Sequence, residues 1–309
     1  MTSLHRILFR RMGYALLSLL LLTTTIFLFT RAAGDPAALM AGVDATQADI
    51  ARLRTELGLD RPLPQQFVMY VTSLLRGDLG VSLYYKVPVL DLIVRRLPAT
   101  LWLITATFLL SLAVGIPLGI YTAIRPGGLA DRFGNLLAMF AMAVPGFWLG
   151  LVLILLFSIT LRWLPSGGIG GVTSVILPAI ALSGYFIASH LRITRSAMLD
   201  VLGTGYIRFA RAKGLSEWRI VTVHALRNSL IPIVTLAGIN LALILNASIA
   251  VEAVFNWPGL GLLLYESISL RDFPVAQGIV LFVGALVILF NLVVDVLYGI
   301  IDPRVTLNA

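Results

Sequence analysis

Cysteine is absent from this 309-residue chain. Disulfides, thiolate nucleophiles and cysteine-ligated zinc are therefore excluded, while the redox compartment stays open. Lysine is nearly absent too: Lys86 and Lys213 are the only two. A nucleotide-binding P-loop needs glycine immediately before its lysine, but Tyr85 precedes the first and Ala212 the second. Any ATP hydrolysis that this chain uses must belong to another chain. His5, His190 and His224 lie far apart, with no metal-ligand spacing. No nucleophile elbow or paired catalytic carboxylate stands out. The expectation is a chain that is no enzyme and needs no cofactor or metal of its own.

Charge is also scarce, at 12% of residues against 59% hydrophobic. Soluble domains carry roughly 25% charged residues, so the composition points to a bilayer. The net charge of +8 would raise nucleic-acid binding in a soluble protein. In a membrane protein, Lys and Arg collect in cytoplasmic loops and fix orientation. Their distribution here favours that reading, with no nucleic-acid partner.

What is present is a series of long apolar runs. A basic start (residues 1–11) precedes the run 12–30, which is too long for a signal-peptide core and long enough to span a membrane. The reading is an uncleaved first span with the N-terminus inside. Residues 31–97 mix charge, Pro and Gly, with eight basic and seven acidic residues. They read as a small external subdomain with two amphipathic helices, 45–57 (N-cap Thr46) and 64–75 (Phe67, Tyr70, Val71 and Leu74 on one face). Five more spans follow, at about 98–124, 133–160 (interrupted at Pro145-Gly146), 172–193, 230–251 and 276–301, within a core of 96–296. The tail 302–309 returns to the inside. Segments assigned inside hold thirteen basic residues against four acids, and short outside loops after the subdomain carry only Arg162 and Arg271. The positive-inside rule therefore gives six spans with both ends inside. Glycines and prolines recur within the spans, which suits close helix packing, with gate hinges as the alternative.

Ionisable residues inside spans are functional candidates by default. Asp295, with Asn291 one turn earlier, lies in the last span; Glu252 lies at the outer end of the fifth. A proton relay wants several acids at mid-depth, and only Asp295 comes near. Asp295, Asn291, Glu252 and Pro145 therefore stand as gating or structural candidates. For Asp295 the structural reading, a helix cap or interhelical hydrogen bond, comes first.

The most polar run in the second half is 205–232, where Arg208, Arg211, Lys213, Arg219 and Arg227 face one acid, Glu217. Residues 198–213 read as one helix, with Tyr206, Phe209 and Ala210 facing one way. Gly214 stops it, and Ser216 caps a second short helix over 217–228. The result is an elbow, within a loop spanning 195–229, that offers Ala210, Ala212 and Leu215 as a small apolar knob among charges. Docking of a partner chain is the favoured role, and binding of anionic lipid headgroups the bland one.

The run YIRFARAKGL at 206–215, followed by HALRN at 224–228 and Pro232, resembles the cytoplasmic loop of ABC-importer permeases. More narrowly it is similar to the "B"-type permease of the dipeptide/oligopeptide/nickel branch. Supporting runs are Gly34-Asp35-Pro36, Leu57-Gly58-Leu59-Asp60, Gly77-Asp78-Leu79-Gly80 with Ser82, Leu97-Pro98-Ala99-Thr100 and Arg195-Ser196-Ala197-Met198-Leu199. Toward the C-terminus stand Glu252, Phe255 with Pro258-Gly259-Leu260-Gly261, Arg271-Asp272-Phe273-Pro274-Val275 and Asp302-Pro303-Arg304. Against the broader pattern E-A-A-x-x-x-G-x9-I-x-L-P, Arg208 stands in place of Glu and Phe209 in place of the first Ala. Ala210, Gly214 and Leu226 are kept, and His224 and Arg227 replace Ile and Pro. The peptide branch, whose loop reads ARAKGL, accommodates these departures.

The resemblance implies an all-α type I ABC importer transmembrane fold with six spans, in the bacterial cytoplasmic membrane. It also implies a heterodimer with a second, homologous permease, two ATPase subunits inside that bind the ATP, and a solute-binding protein outside. Arg208, Ala210, Arg211, Ala212, Lys213, Gly214 and Leu215 would couple the pore to the ATPases. Di- or oligopeptides are the expected substrates, with nickel chelates, glutathione and other small solutes as alternatives. The rival class, a stand-alone secondary transporter or channel, often shows inverted repeats, and none is evident between spans 1–3 and 4–6.

Overall fold

The computed structural model describes the backbone of residues 2–33, 37–38, 46–56 and 58–301, and side chains over the same ranges except 2–9, 33 and 295–301. The expected tail 302–309 and the run Gly34-Asp35-Pro36 lie outside the described residues. Nearly everything described is helical. Within a bilayer this follows from the backbone: each N–H and C=O must find a partner inside its own segment. The helices are α1 (Thr2–Ala33), α2 (Gln47–Glu56), α3 (Leu63–Leu75), α4 (Val89–Ile124), α5 (Leu129–Ala143) and α6 (Gly146–Leu153, prolonged by a π-helical stretch Ile154–Thr160). Then come α7 (Val172–Leu202), α8 (Gly205–Ala212), α9 (Glu217–Val254, with π-helical turns at Ile220–Ala225), α10 (Leu260–Ser269) and α11 (Phe273–Ile301).

Among the described residues five helices are long and apolar enough to cross a membrane, and the bent pair α5–α6 adds a sixth if it counts as one span. The contacts of its two ends show that it does. At the start of α5, Asp131 grips Arg195 near the far end of α7. Beyond α6, the Gly168 N–H donates to the Phe255 carbonyl at 3.0 Å, just past the end of α9. Helix α9 runs antiparallel to α7, because Ser229 near its start donates to the Ala197 carbonyl at 3.1 Å. The pair therefore begins at the level where α7 ends and finishes where α9 ends, having crossed once. The 101° bend falls at Val144-Pro145. Proline removes a backbone donor and turns its predecessor extended, and Val144 is extended, at ψ 121°.

Several expected boundaries move. The second span begins at Val89 rather than Pro98, with Pro98 inside the helix. The fourth runs to Leu202, and the fifth begins at Glu217, not residue 230. The supposed short helix 217–228 is thus the first part of α9. The outside loop 252–275 contains a helix of its own, α10.

Contacts divide the chain into two units. The first comprises Met1–Ile7, Pro98–Leu262 and Phe290–Ala309. At its centre is α7, packed by α5, α6 and α9 and the most buried of the candidate spans. Helix α4 meets α7 through two glycines one turn apart. A Cβ on Gly115 would lie 2.8 Å from the Ile187 carbonyl oxygen, and one on Gly119 2.6 Å from Thr194 Cβ. Only glycine permits that approach.

The second unit comprises Leu8–Leu97 and Leu263–Leu289. Here Phe27 of α1 stacks on Phe67 and Tyr70 of α3, at ring distances of 5.3 and 5.7 Å. The expected α3 face is half-buried accordingly. Thr46 caps α2 reciprocally with Asp49: Thr46 N–H donates to the carboxylate at 3.0 Å, and Asp49 N–H to the hydroxyl at 3.3 Å. Ser82 and Asp272, both buried, form a clamp in which the hydroxyl donates to the carboxylate. The Leu83 and Tyr84 N–H groups donate to the same carboxylate at 3.1 and 3.2 Å.

Candidate functional site: the elbow between α7 and α9

Helix α7 stops at Gly203, so the expected continuous helix over 198–213 is broken, and Thr204 starts α8 from an extended conformation (ψ 157°). Helix α8 ends in a Schellman turn. Gly214 adopts φ +77°, its N–H donates to the Arg211 carbonyl at 2.9 Å, and the Leu215 N–H reaches back to Ala210 at 3.3 Å. Ser216 stands at the N-cap of α9 but makes no side-chain capping bond. The elbow expected at Gly214 is there, although its second arm is the membrane helix itself.

Ile207 and Ala210, one turn apart, are buried with Met198 of α7, Ala123 of α4 and Ile220, Val221 and Ala225 of α9, with Leu215 packed beside them. Burying the two isoleucines contributes on the order of 3–6 kcal/mol, enough to seat a short helix that would not form alone. Two polar ties close the elbow. Arg211 meets Glu217 through paired contacts at 2.7 and 3.2 Å, and Asn228 donates to the Tyr206 hydroxyl at 2.6 Å. The Arg211–Glu217 pair is well exposed, so it contributes at most about 1 kcal/mol. Its hydrogen bond to Glu217 pushes the Arg211 guanidinium above its ordinary pKa.

This geometry corrects the expected knob. Ala210 faces the core of its own unit, and Leu215 is half-buried against the same cluster. Arg208, Ala212, Lys213 and Gly214 are exposed, together with Phe209 (61%) and Trp218 (78%). Lys213 Nζ lies 4.7 Å from the Phe209 ring centroid, which fixes the cation over an aromatic face. The outward surface is basic, as expected, but its apolar part is aromatic, with Ala212 alone of the expected small apolar residues exposed.

The remaining candidates do not gather at the elbow. Glu252 is buried near the end of α9, where its carboxylate accepts the Gly261 N–H at 2.6 Å, the Leu262 N–H at 3.3 Å and the Ser248 hydroxyl at 3.3 Å. It thus holds the start of α10. Pro145 sits at the α5–α6 bend, beside a cavity of about 700 Å³ lined by Phe140, Phe147, Tyr185, Phe186 and Asn246 among others. Asn291 is exposed on α11, and the Asp295 side chain lies outside the described residues.

Sequence reasoning also missed the Asp131–Arg195 pair, bonded twice at 2.6 and 2.8 Å with Asp131 buried. The Gly127 N–H and the Asn135 amide complete its shell, each at 2.8 Å. Sixty-four positions separate the partners, so no local periodicity signals the pairing.

Comparison with known proteins follows the same lines. The family described as "Binding-protein-dependent transport system inner membrane component" matches residues 115–307, and a companion N-terminal family of such membrane components matches 4–104. The glutathione transport system permease protein GsiC of Pectobacterium atrosepticum is 43% identical over 93% of this chain and 94% of its own length. A probable peptide ABC transporter permease protein, y4tP of Sinorhizobium fredii, is 42% identical over 91% and 92%. Among solved structures, an inward-facing MetNI methionine ABC transporter superposes with a TM-score of 0.59 at 22% identity, covering 69% of this chain and 97% of that one. This last likeness speaks for the fold alone.

Proposed function

We propose, from the premise that this chain belongs to the family of binding-protein-dependent transport system inner membrane components, that it is one permease subunit of an ATP-driven importer of small peptides. Glutathione, itself a tripeptide, is the first substrate to test, because relatives carrying that name match over nearly their full length. The peptide permease relative supports the same chemical class. A nickel chelate or another small solute of the same branch is the alternative cargo. In this reading a second, homologous permease completes the pore and two ATPase subunits dock on the elbow side. A solute-binding protein delivers cargo to the opposite face, which carries residues 31–97. Both termini then lie in the cytoplasm.

One observation carries the coupling assignment. The elbow is seated by Ile207 and Ala210 on its own unit, yet it presents Phe209, Ala212 and Lys213 outward around a turn set by Gly214. A rigid, basic-aromatic projection suits a cleft of complementary charge on a partner. Gly214 supplies the test. A side chain there meets nothing within 4 Å, so Gly214→Val leaves packing intact and penalises only the left-handed backbone, by about 1–2 kcal/mol. In the assembled, reconstituted complex we expect Gly214→Val to abolish glutathione uptake and substrate-stimulated ATPase together. Gly214→Asn, which tolerates that conformation, keeps most of both. Unaltered coupling in the valine variant would sink the assignment.

A further inference from the structure

Beside the outward face of the elbow, and sharing Trp218 with it, lies a second feature. A groove of about 420 Å³ runs between the last turns of α4 and the first turns of α9. Pro117, Ile120 and Tyr121 form one wall, and Trp218, Val221 and Leu226 the other. Its polar lining is already committed. Glu217 is engaged by Arg211, and the Thr222 hydroxyl donates to the Trp218 carbonyl at 2.7 Å. Both walls belong to membrane-spanning helices, at the ends where α4 stops and α9 starts. Tyr121 (47% exposed) and Trp218 (78%) flank the groove, and amphipathic rings of this kind settle at the headgroup level of a bilayer. At the same end, Arg125 stacks over the Tyr121 ring at 5.5 Å, with its guanidinium 3.4 Å from the phenol oxygen. Among the described residues no carboxylate lies within ion-pairing distance of Arg125.

We propose that this groove is a binding site for one anionic phospholipid, with an acyl chain between Ile120 and Val221 and its phosphate on Arg125. The apolar walls admit a chain but offer nothing to a polar solute. Arg125, with no carboxylate partner among the described residues, supplies the charge complementarity that selects an anionic headgroup over a zwitterionic one. Tyr121 holds the guanidinium in place, so little conformational freedom is lost on binding. The site requires the membrane and the α4–α9 geometry, and does not depend on which solute is carried.

Brominated lipid chains quench tryptophan only at contact, which makes Trp218 a local reporter. The assembled complex is reconstituted in phosphatidylcholine nanodiscs doped, at equal low fraction, with phosphatidylglycerol or phosphatidylcholine bearing dibrominated chains. Subtracting the Trp218→Phe variant isolates the signal of Trp218. We expect phosphatidylglycerol to quench it about fivefold more effectively, the worth of one basic contact at a membrane surface. Arg125→Gln, at an exposed position, removes the preference while phosphatidylcholine quenching persists. Ile120→Phe fills the groove and lowers quenching by both. Equal quenching by the two lipids in the unaltered complex overturns the proposal. Absence of quenching by either also overturns it and identifies the groove as a contact with another protein subunit.

Discussion

A buried carboxylate in a membrane helix ordinarily marks a proton or ion path, but Glu252 spends one oxygen on backbone N–H groups and the other on the Ser248 hydroxyl. The two N–H groups, from Gly261 and Leu262, open α10, where a helix leaves donors unsatisfied and favours negative charge. Thr100 of α4 adds a second acceptor for the same turn, taking the Leu260 N–H at 2.8 Å, and Trp257 donates its indole N–H to the Ala99 carbonyl at 2.9 Å. The glycines of the run Pro258-Gly259-Leu260-Gly261 follow from this arrangement. A Cβ on Gly261 would lie 2.5 Å from Ile249 Cα, and one on Gly259 would collide with the Glu252 carboxylate and the Thr100 hydroxyl. Glu252→Ala leaves two buried donors unsatisfied and is expected to destabilise the purified complex by on the order of 3 kcal/mol. Glu252→Gln keeps an acceptor and loses less. Thermal unfolding in detergent reads both. Uptake lost in Glu252→Gln with an unchanged midpoint would instead assign Glu252 to transport.

Between elements, close approach is the recurring device. Gly115 and Gly119 let α4 lie against α7 at backbone distance, and in lipid such packing replaces the hydrophobic drive that water supplies elsewhere. Gly119→Leu is expected to disrupt assembly of the folded permease. Gly205→Ala, where an added Cβ meets nothing within 4 Å, is expected to be neutral. Monodispersity of the detergent-purified chain on a sizing column separates the two outcomes. The same scale shows what could be read beforehand. Span positions were legible because long apolar runs have few meanings, and the Gly214 turn because left-handed backbone calls for glycine. The buried arc of α8 was not legible. In eight residues, an arc through Tyr206, Phe209 and Ala210 and one through Ile207 and Ala210 are equally good helical faces. The choice between them is made by Met198 and Ile220, which lie beneath. Likewise the fifth span lost its first turns in the reading, because charged residues at 217, 219 and 227 hide a helix that continues through them.

For the molecule as a whole, the absence of cysteine makes every introduced thiol unique. The proposed topology has residues 128 and 209 in the cytoplasm and residues 86 and 165 outside. Single cysteines at the first pair are expected to react with a membrane-impermeant maleimide only in inverted vesicles, and those at the second pair only in intact cells. Labelling of 128 and 165 from the same side would refute the single crossing of α5–α6. One further consequence lies in the length of α9. It carries the Arg211 partner Glu217 and Glu252 on one helix, through the π-helical turns at Ile220–Ala225, with 35 residue steps between them, roughly 53 Å at 1.5 Å per residue. A helix is stiff along its axis, so the two carboxylates are opposite ends of one connecting rod. Whatever tips the elbow also displaces the loop that Glu252 holds on the far face, and no separate messenger between the two surfaces is needed.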